Sequence, residues 1–157
     1  MKSRRQRSKR LRILHLWTLG EVQKAVPYLR SVIGSLREHE LEARNSERKL
    51  GLASKQPSSL KRTQLTSRHD LQDEHHRSLR KFDDALEELN RLGVALLDAV
   101  KGLALIPFRK GHELAWFVFD LFSPRGLIGW RYDNDPRDGC RPLRLLDEPA
   151  GNDPVSN

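Results

Sequence analysis

Apolar positions recur along this chain in two rhythms, one helical and one extended, and the change between them falls near residue 93. Val22, Ala25, Val26, Leu29, Val32, Ile33 and Leu36 follow a three-four spacing that lines one face of a helix. Thr18 and Glu21 precede that run at the spacing of a capping box, and Trp17 and Val22 stand where a hydrophobic staple closes. The pattern predicts a helix over residues 18–50, stopped by Gly51. Pro27 lies inside it and should kink it, because proline lacks the N–H and crowds the preceding turn. Past Leu36 the apolar stripe thins into "REHELEARNSERKL". The stretch "GLASKQPSSLKRTQ" reads as a turn region. Leu79, Phe82, Leu86 and Leu89 then mark a second helix over 66–92, with Gly93 at the position of a left-handed cap. Two helices of similar length with a short connection predict an antiparallel hairpin.

Beyond Gly93 the runs shorten. "VALLDAV", "LALIPF", "ELAWFVFDLF" and "LIGWRY" are strand candidates within residues 94–132, separated by Gly, Pro or charged turns. "FSPRG" is a turn between the last two, and "LRILHL" ahead of the first helix is a candidate edge strand. The fold expected is α+β: a long antiparallel two-helix hairpin packed on a small, mainly antiparallel β-sheet, one domain over 13–146. Residues 1–12 form a basic disordered arm, and the polar stretch 147–157 is a disordered tail.

"AWFVFDLFSPRGLIGWRY" raises the question of what covers the sheet. Trp116 and Val118 face one way, and Phe117, Phe119 and Leu121 the other. In the next strand Leu127, Gly129 and Arg131 alternate with Ile128, Trp130 and Tyr132. Two helices cover one face of a small sheet, and leaving Phe117 and Phe119 in water would forgo roughly 1.5–3 kcal/mol of burial each. A second layer is therefore expected, most simply another copy across a two-fold axis. The contact residues would be Trp116, Phe117, Phe119 and Trp130.

Composition changes this picture in one respect. Of the 29 Lys and Arg, seven lie in residues 1–12, leaving 22 against 21 acidic residues, so the net charge of +8 belongs to the arm and the body is nearly neutral. Charged residues make up 32% of the chain, which favours much solvated helix surface. No run approaches the roughly 18 apolar residues of a spanning helix, so no membrane partner is expected. "SRRQRSK" has a twin-arginine look, but Arg12 and His15 interrupt the apolar core that an export signal needs. The chain reads as cytoplasmic. Cys140 is the single cysteine, which excludes an internal disulfide.

The chain resembles the bacterial domain-of-unknown-function family 2203 from Leu16 to about Leu143. The resemblance opens on "LWTLGEV" and "VPYLR" and continues in "LNRLGVALLDAVKGLALIPF", through Gly93-Val94, Asp98, Gly102-Leu103 and Pro107-Phe108. It ends on an aromatic strand pair and "GCRPL". It implies a hairpin on a small sheet and implies no established activity. Two features depart from the family: "LFSPRGL" replaces the Gly-Glu turn usual between the aromatic strands, and the basic arm is not a family feature.

Candidate chemistry is sparse. Lys2, Arg4, Arg5, Arg7, Lys9, Arg10 and Arg12 would bind nucleic-acid phosphates without sequence preference and with strong salt dependence, or form a solvated extension. No aromatics are interleaved among them to stack on bases. His69, Asp73 and His76 share a helical face at carboxylate-histidine metal spacing, with His39 and Glu42 across the hairpin. The bland alternative is a solvated helix face, and one hairpin supplies only two of the four helices such bundle sites use. "YDNDPRDGC" carries three aspartates but lacks the glycine and the glutamate of a calcium loop, so it reads as a turn. Arg131 and Arg141, walled by Trp116 and Trp130, would suit an anion pocket, set against the plainer reading of the tryptophans as core or interface. Cys140 would need a base to act as a nucleophile, and His112 is a candidate by proximity in sequence alone.

The expectation is a non-catalytic interaction or scaffolding module, homodimeric, with no cofactor and an unidentified protein partner. A nucleic-acid-associated protein using its arm is the first alternative. A small metalloprotein or enzyme with a site on the polar hairpin is the second.

Overall fold

The computed structural model describes residues 15–55, 62–136 and 138–147. The basic arm, most of the candidate edge strand and the tail from 148 onward lie outside the described residues.

Helix α1 spans Leu19–Ser54, a few residues longer than the sequence pattern predicts. Thr18 caps it in an extended conformation, its hydroxyl accepting the Glu21 N–H at 3.2 Å and donating to the Glu21 carboxylate at 3.2 Å. Trp17 does more than staple the first turn: its Nε1–H donates to the Leu92 carbonyl at 3.0 Å, and its backbone N–H donates to the Pro107 carbonyl at 2.8 Å. The start of α1 is thereby tied to the end of the second helix and to the sheet. Pro27 sits inside α1 without ending it. Helix α2 covers Arg62–Arg91, starting a turn earlier than expected. Gly93 closes it at φ 75°, the left-handed conformation that favours glycine, with its N–H on the Asn90 carbonyl.

Strands β1 (Ala95–Asp98), β2 (Leu103–Lys110), β3 (Glu113–Asp120) and β4 (Leu127–Tyr132) form an antiparallel meander in that spatial order. The α+β hairpin-on-sheet architecture is as the sequence predicts. A 3-10 turn over Leu143–Asp147, which no sequence pattern announces, ends the described chain.

The register corrects the expected faces. Ala104, Ile106 and Phe108 of β2 align with Phe119, Phe117 and Ala115 of β3, and all six face the hairpin with Val22, Leu29, Ile33, Leu36 and Leu89. Phe117 and Phe119 are thus covered by the chain's own helices, and the burial argument for a second copy over them does not apply. Phe117 stacks on Phe108 with ring centroids 4.0 Å apart, and Trp130 meets Phe108 edge-on. Simple alternation also fails in β4. A bulge sets Phe119 against Leu127 and Val118 against Gly129, so Leu127 joins Trp130 and Tyr132 on the helix side while Ile128 is pushed out to 43% exposure.

Two arginines on α1 anchor the sheet from its end. Arg30 donates to the carbonyls of Leu121, Ser123 and Pro124 in the β3–β4 turn, and Arg37 Nε donates to Val100 in the β1–β2 turn. Leu36 is the last α1 residue in the sheet core, yet the helix runs on to Ser54. At 1.5 Å per residue that outer half is about 27 Å long. Small residues line its seam with α2: Ala43, Ser46 and Ser78 are buried, and Ser46 Oγ lies 2.8 Å from His75 Nδ1.

Candidate binding surfaces

Side chains of alternate residues on β1–β4 point away from the hairpin, and this outer face is only partly roofed. A cleft of about 480 Å³ remains on it, with Leu103, Leu105 and Val118 as an apolar floor and Leu97 and Ile128 at its sides. Asp98, Lys101, Arg131 and Asp138 bring two cations and two carboxylates to its lining. The roof is the chain itself: Gly139 and Cys140 close one side. Their approach depends on Gly129, where an added Cβ would fall 2.3 Å from Cys140 Sγ and 2.4 Å from the Arg141 carbonyl. Arg141 then pairs with Trp130 as a β-bridge, with N–H···O distances of 3.0 and 2.7 Å.

This arrangement separates the residues proposed for an anion pocket. Arg131 pairs in register with Trp116 and lines the outer cleft, with Nη2 donating to the Asp135 carbonyl at 3.0 Å. Arg141 sits over the rings of Trp130 and Tyr132, both turned toward the helices. Its guanidinium grips Asp135 at 2.9 and 3.0 Å. The two cations therefore serve different faces, joined through Asp135. Its carboxyl is held below the ordinary aspartate range, first by the Arg141 hydrogen bonds and further by the Tyr132 N–H and the charges of Arg141 and Arg131, against the opposing effect of burial. The "NDP" segment is the turn expected of it. Trp116 donates to Asp133 at 2.9 Å and Trp130 to the Pro142 carbonyl at 3.0 Å, so both indoles hold the C-terminal segment in place.

The remaining candidates are dispersed. His69 and Asp73 form an exposed pair at 3.3 Å, and among the described residues no group of three or more His, Cys, Asp or Glu is placed to hold a metal ion. His112 accepts from Arg109 on the β2–β3 turn and does not line the cleft that Cys140 lines. Burial pushes the Cys140 thiol up, only partly offset by the Trp130 backbone and the Arg131 charge. Lys2, Arg4, Arg5, Arg7, Lys9, Arg10 and Arg12 lie outside the described residues. Among the described residues no helix is long and apolar enough to cross a membrane.

Sequence reasoning missed a second surface, on the outer half of the hairpin. Leu41 and Leu52 of α1 are 38% and 63% exposed, and Leu65 of α2 is 52% exposed. Leu41 and Leu52 stand off the apolar three-four stripe that ends at Leu36, but that pattern alone does not tell an outward face from a second core stripe.

Comparison with curated proteins and with solved structures returns no match. A family model described as "Uncharacterized conserved protein (DUF2203)" matches residues 15–122, from the start of the described chain through β3 into the Arg30-held turn. That is 108 of the 157 residues and most of the hairpin-and-sheet unit. The chain belongs to the DUF2203 family.

Proposed function

We propose that this chain is a non-catalytic interaction module that works as a homodimer. The observation that carries the reading is the outer half of the hairpin. It extends well past the sheet on a seam of Ala43, Ser46 and Ser78, and exposes leucines on both helices. Helical stability in proteins comes mainly from packing an apolar face, so a helix pair with so thin a seam gains most from a further surface to lie against. The non-catalytic part of the reading is supported by how the reactive side chains are engaged. Arg141 is bound to Asp135, Trp116 and Trp130 hold the C-terminal segment, and the thiol of Cys140 is tucked against Gly129 with its ionisation disfavoured.

Sedimentation equilibrium of the full chain at physiological salt tests the self-association. A mass that rises from one chain toward two with micromolar concentration is the expected result, and a single-chain mass at every concentration up to the millimolar range would overturn it.

A further inference from the structure

We infer that two copies associate through α1 and its C-cap residue Lys55, antiparallel, along the stripe formed by Glu38, Leu41, Asn45, Arg48, Leu52 and Lys55. The inference rests on the homodimer proposed above and names the surface and direction of its contact.

These six positions follow a 3-4-3-4-3 spacing, which places them in one line on the helix. All six are exposed, so the line is available in the single chain. The order of residue types is a palindrome in chemistry. Read from either end, it runs charge, leucine, polar, polar, leucine, charge, with the acid at one end and the base at the other. An isologous contact sets a surface against its own copy, so a stripe of one sign would repel itself. Here a two-fold axis midway between Asn45 and Arg48 sets Leu41 on the partner's Leu52, Glu38 on the partner's Lys55, and Asn45 beside the partner's Arg48. Each contact occurs twice. Parallel alignment instead sets Glu38 on its own copy and Lys55 on its own copy, two like-charge meetings. The polar centre fixes the register in the way that buried polar positions do in paired helices.

The stripe also lies wholly beyond Leu36, where α1 leaves the sheet core, so a partner helix reaches it without meeting β1–β4. Arg48 donates to Asn45 at 3.1 Å within the helix, which holds both central side chains over the axis.

Charge exchange tests this. Glu38→Lys and Lys55→Glu are each expected to weaken the dimer about tenfold, since each turns two attractive pairs into two repulsive ones. Combining them restores wild-type association. Leu41→Glu and Leu52→Glu should weaken it more. All four positions are exposed, so unchanged circular dichroism and melting temperature verify the fold of each variant. A full chain that dimerises with the same affinity in every variant overturns the α1 stripe while leaving the homodimer in place. A wild-type chain that never dimerises overturns both. Two single exchanges that weaken association without rescue in the double variant overturn the antiparallel register.

Discussion

Arg141 and Asp135 are joined by a two-pronged ion pair, Nε to Oδ2 at 2.9 Å and Nη2 to Oδ1 at 3.0 Å, which ties the chain after β4 back onto its own turn. Asp135 also accepts the Tyr132 N–H, so one carboxylate holds three donors. These bonds favour the ionised form and lower its pKa from the ordinary 3.8. A depressed folded-state pKa means that the stabilisation is present above the unfolded value and is lost as pH falls through the folded one, that is, in the acid range below about 4. Arg141 is 34% exposed on its side chain, so water screens the pair. Asp135→Asn should cost about 1 kcal/mol at neutral pH, short of the 3 expected of a fully buried pair. Thermal unfolding from pH 7 to 2.5 should show the gap between wild type and variant closing below pH 4, and a constant gap would contradict this account.

Gly129 is required by contact, with no special backbone conformation at that position. A methyl there falls within 2.4 Å of both Cys140 Sγ and the Arg141 carbonyl, well inside van der Waals distance. One obstacle is a side chain that can rotate, but the other is backbone in a β-bridge, which does not yield without shifting the segment. Gly129→Ala should destabilise by roughly 1–3 kcal/mol in urea unfolding, as overpacking does. Adding Cys140→Ala removes one of the two clashes and should recover only part of the loss. Full recovery would show that the backbone contact is not limiting.

Arg30 reaches three carbonyls of the β3–β4 turn, a load suited to a planar fork of donors. Arg30→Ala should cost about 2 kcal/mol and speed amide exchange through that turn. A lysine presents a compact charge that cannot span three acceptors, so Arg30→Lys should recover less than half. Hydrogen exchange read residue by residue checks both, and an unaltered turn in Arg30→Ala would refute the anchor.

The contrast between legible and illegible features is physical. The α1 start could be read because Thr18 and Glu21 bond to each other within one turn of chain, with Trp17 and Val22 flanking them in sequence. The meander could be read because each of the first three strands is followed by a local break at Gly102, Gly111 or Gly126, all with positive φ. Face assignment failed where it depended on partners. Nothing near Ile128 in sequence announces the bulge, which sets Phe119 against Leu127 across the sheet. Nothing near Arg30 in sequence marks it as an anchor, since its acceptors lie in a distant turn. The Leu41–Leu52 stripe was visible in the sequence, but only exposure in the folded chain separates it from a core stripe.

Cys140 offers a chemical reading of the same C-terminal segment. Although the residue as a whole is exposed, its sulfur is tucked against Gly129, and that desolvation raises its pKa above the ordinary 9.0, with the Trp130 backbone and the Arg131 charge pulling weakly the other way. The thiolate is the form that alkylates, so iodoacetamide at pH 7.5 should react more slowly with the folded chain than with an unstructured cysteine peptide. The rate should go on rising with pH past the point at which the peptide levels off. Asp135→Asn loosens Arg141, the residue next to Cys140, and should bring the thiol's rate and pH profile toward those of the peptide. A wild-type rate equal to the peptide's would mean that the sulfur is already in water and that the segment does not pack on Gly129. A slow rate unchanged by Asp135→Asn would mean that the Trp130–Arg141 bridge and the Trp130 indole hold the segment without the ion pair.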